Sequence, residues 1–238
     1  MADGRAEPVS EAPPRRPWRD LRARAASAVV LAPLALGAIW AGGPFFVALV
    51  AALALGLAHE WAGLCRAGGL GRDSRLGGTL VIAAWAAASL WLRADPSAGR
   101  ANVIVLALVV WGSDVGAYLA GRLIGGPRLA PRVSPSKTWA GVAGGALAAA
   151  LVSAGAAKFL FLEGNVTAAL LLGVGFSMIG QAGDLAESAI KRRCGVKDSG
   201  RLIPGHGGLL DRLDAALVVA PVAAILSLAL GRGVVLWQ

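Results

Sequence analysis

The stretch GLLDRLDAALVVAPVAAILSLAL, residues 208–230, decides the fold. After Asp214 it carries no charged side chain, and a helix needs about 20 mainly apolar residues to cross the hydrocarbon of a bilayer. Its first turns nevertheless contain Asp211, Arg212 and Asp214. The segment therefore predicts a transmembrane helix with charged groups placed at one membrane face.

The rest of the chain repeats this apolar pattern. Further spans are predicted at 26–42, 44–61, 76–92, 101–120, 139–161 and 166–185. The 238 residues are 56% hydrophobic and only 16% charged, with a mean hydropathy of +0.65, and a soluble domain needs more polar surface than this. Ala and Leu dominate, and the roughly 10-residue alternation of a transmembrane barrel is missing. The prediction is an all-α, polytopic transmembrane helical bundle with about seven spans, between six and eight.

Domain organisation follows from where the polar residues lie. Residues 1–25 are rich in Arg and Pro and are predicted to be a disordered basic tail, followed by a single transmembrane domain over 26–238. The first apolar run is too long for a signal-peptide core, so it is taken as an uncleaved span. Cys65 and Cys194 show no metal-binding spacing, and neither a zinc site nor a disulfide is indicated.

Basic residues predict the orientation of the bundle. With the N-terminus inside, 19 of the 23 lysines and arginines lie on the cytoplasmic side and 4 lie outside. The loops 62–75, 121–138 and 186–207 are then cytoplasmic. The excess of basic residues in cytoplasmic loops, together with their attraction to anionic lipid headgroups, accounts for the net charge of +9. No nucleic-acid partner is therefore expected.

Several acidic residues fall inside the predicted spans, where a charge costs several kcal/mol unless it has a partner or a purpose. They are Asp114, Asp184, Asp211 and Asp214, all near the cytoplasmic ends. Pairing with a neighbouring base is the structural alternative for each one, with Arg122, Lys191 and Arg212 as partners. Their convergence at one depth favours a shared function.

Helical spacing groups these acids into two faces. One helix carries Asp184, Glu187, Ser188 and Lys191 at i, i+3, i+4 and i+7, and the next carries Asp211 and Asp214 at i and i+3. Two carboxylate faces at equal depth can hold a hard cation such as Mg²⁺. The neighbouring bases suit phosphate oxygens: Lys191, Arg192, Lys197 and Arg201. A cation beside a basic cluster is typical of phosphoryl or nucleotidyl transfer.

Two loops precede helices and offer further anion contacts. PGHGG, residues 204–208, has glycines that allow close backbone approach at a helix N-terminus, although it is also an ordinary turn sequence. VSPSKTW, residues 133–139, lacks the glycine spacing of a P-loop. It is either a second phosphate contact or an interfacial anchor through Lys137 and Trp139.

The ordered motifs SAIKR (188–192), KDSG (197–200) and PGHGGLLDRLD (204–214) closely resemble the signature of phosphatidate cytidylyltransferases, the CDP-diacylglycerol synthases. DVGAY (114–118), SPSKTW (134–139) and Glu60-Trp61 look similar to the same family. The resemblance is firm over residues 110–215. Ala140 stands where family members often carry an acid, which puts in doubt any role for an acid in that loop.

The resemblance implies a reaction and a location. CTP and phosphatidate would give CDP-diacylglycerol and pyrophosphate, the first committed step of phospholipid biosynthesis, with Mg²⁺ and a second cation such as K⁺. The enzyme would be a multi-pass protein of a bacterial inner membrane, in contact with membrane lipids, with its active site facing the cytoplasm. A homodimer remains open.

The resemblance and the spacing together give the candidate residues. Asp184, Asp211 and Glu187 are assigned to the metal, with Asp214 as an alternate ligand. The catalytic set is Asp184, Lys191, His206, Asp211 and Asp214. The substrate-binding set is Asp114, Lys137, Ser188, Arg192, Lys197, Asp198, Arg201, Gly205, Gly207, Gly208 and Arg212.

Two other functions compete with this hypothesis. A transporter or channel would also place acids in spans, but it favours internal repeats and midplane sites, and neither is visible here. A transferase that uses another lipid phosphate, such as a polyprenol phosphate, is harder to dismiss, because the binding sites for different lipid chains have similar apolar sequences. The aspartate pattern of a CDP-alcohol phosphotransferase is missing from the sequence.

The orientation can be tested by cysteine labelling. A membrane-impermeant reagent added outside should miss a Ser199→Cys variant and label an Asn165→Cys variant, because the 19 to 4 charge bias puts their loops on opposite sides. The reverse labelling pattern would contradict both the orientation and the cytoplasmic site.

Overall fold

The structure is a computed structural model that describes residues 17–159, 165–200, 202, 207–230 and 236, with side chains described from residue 29 onward. Its helices are α1 (Pro17–Ala41), α2 (Gly43–Ala67), α3 (Arg72–Ala94), α4 (Gly99–Leu123), α5 (Trp139–Phe159), α6 (Val166–Arg193) and α7 (Leu210–Leu230). Two short strands, β1 (Arg128–Ala130) and β2 (Ser134–Thr138), lie between α4 and α5.

Within the described residues, six helices, α2 to α7, are long and apolar enough to cross a membrane. The α1 helix contributes a shorter apolar segment, Val29–Ala41. The prediction of an all-α polytopic bundle is confirmed. Most helices run past the apolar segments that predicted them, because a helix continues through the polar residues at the membrane face; α6, for example, extends to Arg193.

The N-terminal region is described only in part. The α1 backbone is already helical at Pro17, ahead of residue 26, where the sequence puts the first span. The predicted disorder of residues 1–16 falls outside the described residues, and a single domain over 26–238 stays a prediction.

Side-chain contacts between distant segments show that three loops meet at one end of the bundle. Arg192 Nε, at the end of α6, donates to the carbonyl of Val133 between the strands at 3.2 Å. Ser199 Oγ, between α6 and α7, donates to Glu60 Oε2 near the end of α2 at 3.2 Å. The loops after α2, α4 and α6 therefore lie together, as the alternation of spans predicts.

Close helix packing brings the site-bearing helices into contact. The α4 helix packs on α5, α5 on α6, and α7 on α6 and α3. A Cβ added at Gly116 of α4 would lie 2.6 Å from the carbonyl oxygen of Gly144 in α5, so these backbones meet where only glycine fits. The buried Ser113 and Ser177 hydroxyls form a 2.7 Å hydrogen bond between α4 and α6.

The antiparallel pair β1–β2 was not predicted, since the sequence indicates only a polar loop at 121–138. Strands this short carry no periodic pattern of their own. After β2, the Thr138 hydroxyl accepts from the backbone N–H of Gly141 at 3.1 Å and caps the start of α5. The hairpin is thereby fixed over the end of the bundle where the loops meet.

Candidate active site

A polar cavity of about 570 Å³ opens at this end of the bundle. Residues of α4, β2, α5, α6 and α7 line it. Its charged lining residues are Asp114, Arg122, Lys137, Asp184, Asp211, Arg212 and Asp214. Of the residues that the sequence grouped by helical spacing, Asp184, Asp211 and Asp214 therefore border one volume, whereas Glu187 and Lys191 are not in its lining.

Three carboxylates form the centre of the site, and we call them the carboxylate triad: Asp184, Glu187 and Asp214. One oxygen from each lies within 4.8 Å of the others. Glu187 is 8% exposed, and no described residue donates a hydrogen bond to its Oε1. Three converging carboxylates, one of them buried and short of hydrogen-bond donors, are the kind of oxygen donor set that a hard divalent cation takes.

Asp211 has a different environment. Lys191 Nζ lies 2.5 Å from Asp211 Oδ1 and 2.8 Å from Glu187 Oε2. The backbone N–H groups of Ser199 and Gly208 donate to Asp211 Oδ2 at 3.1 and 3.2 Å. Asp211 therefore joins α7, the α6–α7 loop and Lys191, while Lys191 links it to the triad.

A second ion pair connects the hairpin to the triad. Lys137, at the end of β2, places Nζ 2.5 Å from Asp184 Oδ2. The two side chains are partly exposed, at 23% and 35%, but the Lys137 Nζ atom itself is buried. Ser188 Oγ donates to Asp184 Oδ1 at 3.4 Å from one turn further along α6. Lys137 thus ties the hairpin to the triad from within the lining of the polar cavity.

The remaining predicted residues divide into three groups. Asp114 and Arg212 line the polar cavity, and Gly207 and Gly208 lie at the start of α7. The Arg192 guanidinium binds the carbonyls of Val133 and Val196, and Lys197 and Asp198 are exposed outside the cavity lining. Arg201, Gly205 and His206 lie outside the described residues. The functional roles given to all of these residues stay predictions.

The sequence analysis missed two polar residues that help to build the site. Gln181 lines the polar cavity and donates through Nε2 to Ser177 Oγ at 2.8 Å. It precedes Asp184 by three residues, so the i, i+3 pattern contained a signal for it. Glu60 was noticed in the sequence without a role, and no spacing links it to residues about 140 positions later.

A second, mainly apolar cavity of about 430 Å³ also borders the triad. Helices α3, α6 and α7 line it together with Trp61 and Leu70. Glu187 borders this apolar cavity, Asp184 borders the polar one, and Asp214 borders both. The carboxylate triad therefore lies between a polar volume and an apolar volume.

Fold and site together define a multi-pass membrane protein with an acidic centre that borders a polar cavity and a mainly apolar cavity. Residues 74–230 match the model of the cytidylyltransferase family. A phosphatidate cytidylyltransferase of Brucella suis biovar 1 (strain 1330) is 35% identical to the chain, over 84% of this chain and 91% of its own length. The chain belongs to the cytidylyltransferase family, and it is an enzyme.

Relatives from a distant group of bacteria match over a shorter region. A phosphatidate cytidylyltransferase of Staphylococcus epidermidis (strain ATCC 12228 / FDA PCI 1200) is 47% identical over 55% of this chain and 50% of its own length. One from Staphylococcus haemolyticus (strain JCSC1435) is 43% identical over 58% and 53%. The resemblance inferred from the motifs is thus confirmed.

Proposed function

We propose that this protein transfers the cytidylyl group of CTP to phosphatidate, giving CDP-diacylglycerol and pyrophosphate. The observation that carries the proposal is the carboxylate triad between a polar and an apolar cavity, which suits one water-soluble and one lipid substrate. The names of the Brucella and Staphylococcus relatives support the same substrates.

The proposed chemistry is a displacement at phosphorus. A phosphate oxygen of phosphatidate forms a bond to the α-phosphorus of CTP, and the bond from that phosphorus to the bridging oxygen breaks. Pyrophosphate leaves with the electron pair. Because the attacking oxygen is already anionic, no strong general base is required, and catalysis rests on positioning and charge stabilisation.

The triad would hold the divalent cation that such transfers use. Asp184, Glu187 and Asp214 are the proposed ligands, and the buried Glu187 carboxylate, which receives no hydrogen bond at Oε1 from a described residue, would gain a partner in the cation. Mg²⁺ held there would neutralise charge that develops on the phosphoryl oxygens. We assign Asp211 to fixing Lys191 instead, because its oxygens already accept from that ammonium group and from two backbone N–H groups.

The basic side chains of the polar cavity would bind the triphosphate. Lys137 and Arg212 border that cavity, and Lys191 lies at its acidic wall. Lys137 would exchange its contact with Asp184 for phosphate oxygens when CTP enters. Each of these cations lowers the cost of bringing two anionic substrates together.

The apolar cavity would bind the glycerol and proximal acyl chains of phosphatidate. Its lining includes Val81, Ile82 and Leu217 beside Glu187 and Asp214. In-line displacement requires the attacking and leaving oxygens on opposite sides of the phosphorus. Two separate cavities beside the triad are compatible with this geometry, with lipid entering through one and pyrophosphate leaving through the other.

The charge bias of the loops supports a cytoplasmic site in a bacterial inner membrane, where CTP is available. A transferase that accepts another lipid phosphate is the second candidate, since an apolar cavity recognises acyl and polyprenyl chains by similar contacts.

The reaction itself is tested with purified protein, Mg²⁺, phosphatidate and CTP labelled at the α-phosphate. Label should enter the lipid phase, and label at the γ-phosphate should remain in water as pyrophosphate. Label that never enters lipid while the protein is folded would contradict the proposal. Incorporation with undecaprenyl phosphate but not phosphatidate would favour the second candidate.

The metal assignment is tested by comparing charge-neutralising variants. Asp184→Asn and Asp214→Asn should each lower kcat at least about 100-fold and raise the half-saturating Mg²⁺ concentration, because a lost metal ligand removes several kcal/mol of transition-state stabilisation. Asp211→Asn should also lower kcat, but without changing the Mg²⁺ requirement, because its partner is Lys191.

An Asp73→Asn variant is the matched control, since this carboxylate is exposed at the start of α3 and lines neither cavity. Near-normal turnover of Asp214→Asn at low Mg²⁺ would contradict the assignment. So would a shift in Mg²⁺ requirement seen only in Asp211→Asn.

Lipid binding at the apolar cavity is tested by introducing a larger side chain into it. Gly77 lines the apolar cavity, and a Cβ added there meets nothing within 4 Å, so Gly77→Leu should raise the KM for phosphatidate while leaving that for CTP unchanged. Gly155→Leu is the control, because a Cβ there also meets nothing within 4 Å and the residue lines neither cavity. Equal phosphatidate kinetics in both variants would contradict lipid binding at this cavity.

A further inference from the structure

Glu60 is a buried acid that the reaction does not explain. It is 4% exposed near the end of α2, and it lies before residues 74–230, which match the family model. It lines neither of the two cavities described above. Burying a carboxylate costs several kcal/mol unless hydrogen bonds compensate it, so its contacts indicate what it stabilises.

One oxygen of Glu60 binds a residue within the α6–α7 connection and the first residue of α7. The backbone N–H of Leu210, the first residue of α7, donates to Glu60 Oε2 at 2.9 Å. Ser199 Oγ donates to the same oxygen at 3.2 Å. The first N–H groups of a helix have no partner within it and favour a negative charge, so Glu60 caps α7 from a different helix.

The contacts continue from Ser199 to the carboxylate triad. The backbone N–H of Ser199 donates to Asp211 Oδ2 at 3.1 Å, and Lys191 bridges Asp211 and Glu187. We call this series the Glu60 relay: Glu60, Ser199, Asp211, Lys191 and Glu187. It joins α2 to the triad through hydrogen bonds and ion pairs that follow one another without a gap.

The loop also packs directly against the Glu60 side chain. A Cβ added at Gly200 would lie 2.6 Å from Glu60 Cδ and 2.9 Å from Cγ, so the backbone of Gly200 sits on the carboxylate. A displacement of the Glu60 side chain would therefore shift Ser199 and Gly200 first, and Asp211 only through them.

We propose that Glu60 is a positioning residue that fixes the α6–α7 loop and the start of α7, and through Asp211 sets the place of Lys191 beside the triad. It touches no substrate. This inference rests on the proposed cytidylyl transfer only because the kinetic tests measure kcat and KM for that reaction.

The test compares two substitutions of similar size. In Glu60→Gln the amide oxygen can accept both hydrogen bonds, so kcat should fall less than about threefold, as expected when neutral bonds replace charged ones. In Glu60→Met the acceptor is lost, and kcat should fall about 10- to 100-fold while the KM values stay nearly constant. Asp73→Asn again serves as the control for loss of a carboxylate away from the site.

A double-mutant cycle separates positioning from a general structural role. Asp211→Asn already breaks the Glu60 relay, so adding Glu60→Met should cost far less in kcat than it does in the wild type. Fully additive losses would overturn the proposal. Equal loss in Glu60→Gln and Glu60→Met would also overturn it, because the negative charge itself would then act in the reaction.

Ser199 variants keep the proposal testable if Glu60→Met does not fold. Ser199→Ala removes the hydroxyl donor but leaves the N–H bond to Asp211, so kcat should fall about 3- to 10-fold, and Ser199→Thr should restore it. Wild-type kcat in Ser199→Ala, together with an unfolded Glu60→Met, would show that Glu60 only holds the fold.

Hydrogen exchange distinguishes failure of this inference from failure of the proposed function. If the wild type makes no CDP-diacylglycerol, the proposed function fails, yet amide protection at Ser199 and Leu210 can still be measured. Protection should persist in Glu60→Gln and be lost in a folded Glu60 variant without an acceptor, such as Glu60→Met. Unchanged protection in the latter would contradict the inference.

Discussion

Carboxylates buried at the end of an apolar helix bundle must be neutralised, and the arrangement of this protein follows from that constraint. An unpaired charge at such a depth costs several kcal/mol, which is comparable with the whole stability of many domains. Lys191 neutralises part of this negative charge by bridging Glu187 and Asp211, and Lys137 pairs with Asp184. Glu187 Oε1 still receives no hydrogen bond from a described residue. The site is thus left with unbalanced negative charge directed at one point, which a divalent cation can offset.

The need to neutralise these buried carboxylates also explains why the loops meet at one end of the bundle. The lysine of the hairpin, the serine of the α6–α7 loop and the glutamate of α2 each contribute a partner to an acid or a helix terminus that would otherwise be unpaired. Because the partners come from separate segments, the acidic centre holds the loops together, and the loops in turn shape the polar cavity. The same charges that stabilise the end of the bundle are those that an anionic nucleotide would meet on entry.

The carboxylate triad borders both a polar cavity and a mainly apolar cavity. The closely packed helices α4 and α5 contribute Ala117, Gly121 and Gly141 to the lining of the polar cavity, whereas α3, α6 and α7 line the apolar cavity. In the proposed reaction, the polar cavity would hold the water-soluble anion and the apolar cavity the lipid anion. A triad that borders both cavities could then contact each substrate.

The sequence by itself determined the helical class, the approximate spans and the acids and bases of the site. Apolar length and charge placement are local properties, and the 3.6-residue period puts Asp184, Glu187 and Lys191 on one face wherever the helix lies. The ordered motifs between residues 188 and 214 also indicated the family. Tertiary structure alone decided that Asp214 joins Asp184 and Glu187 while Asp211 turns to Lys191, because both aspartates share one face of α7 and only the packing against α6 separates them. It also brought Glu60 to Ser199 and Leu210, since no local pattern encodes a contact across about 140 residues of chain.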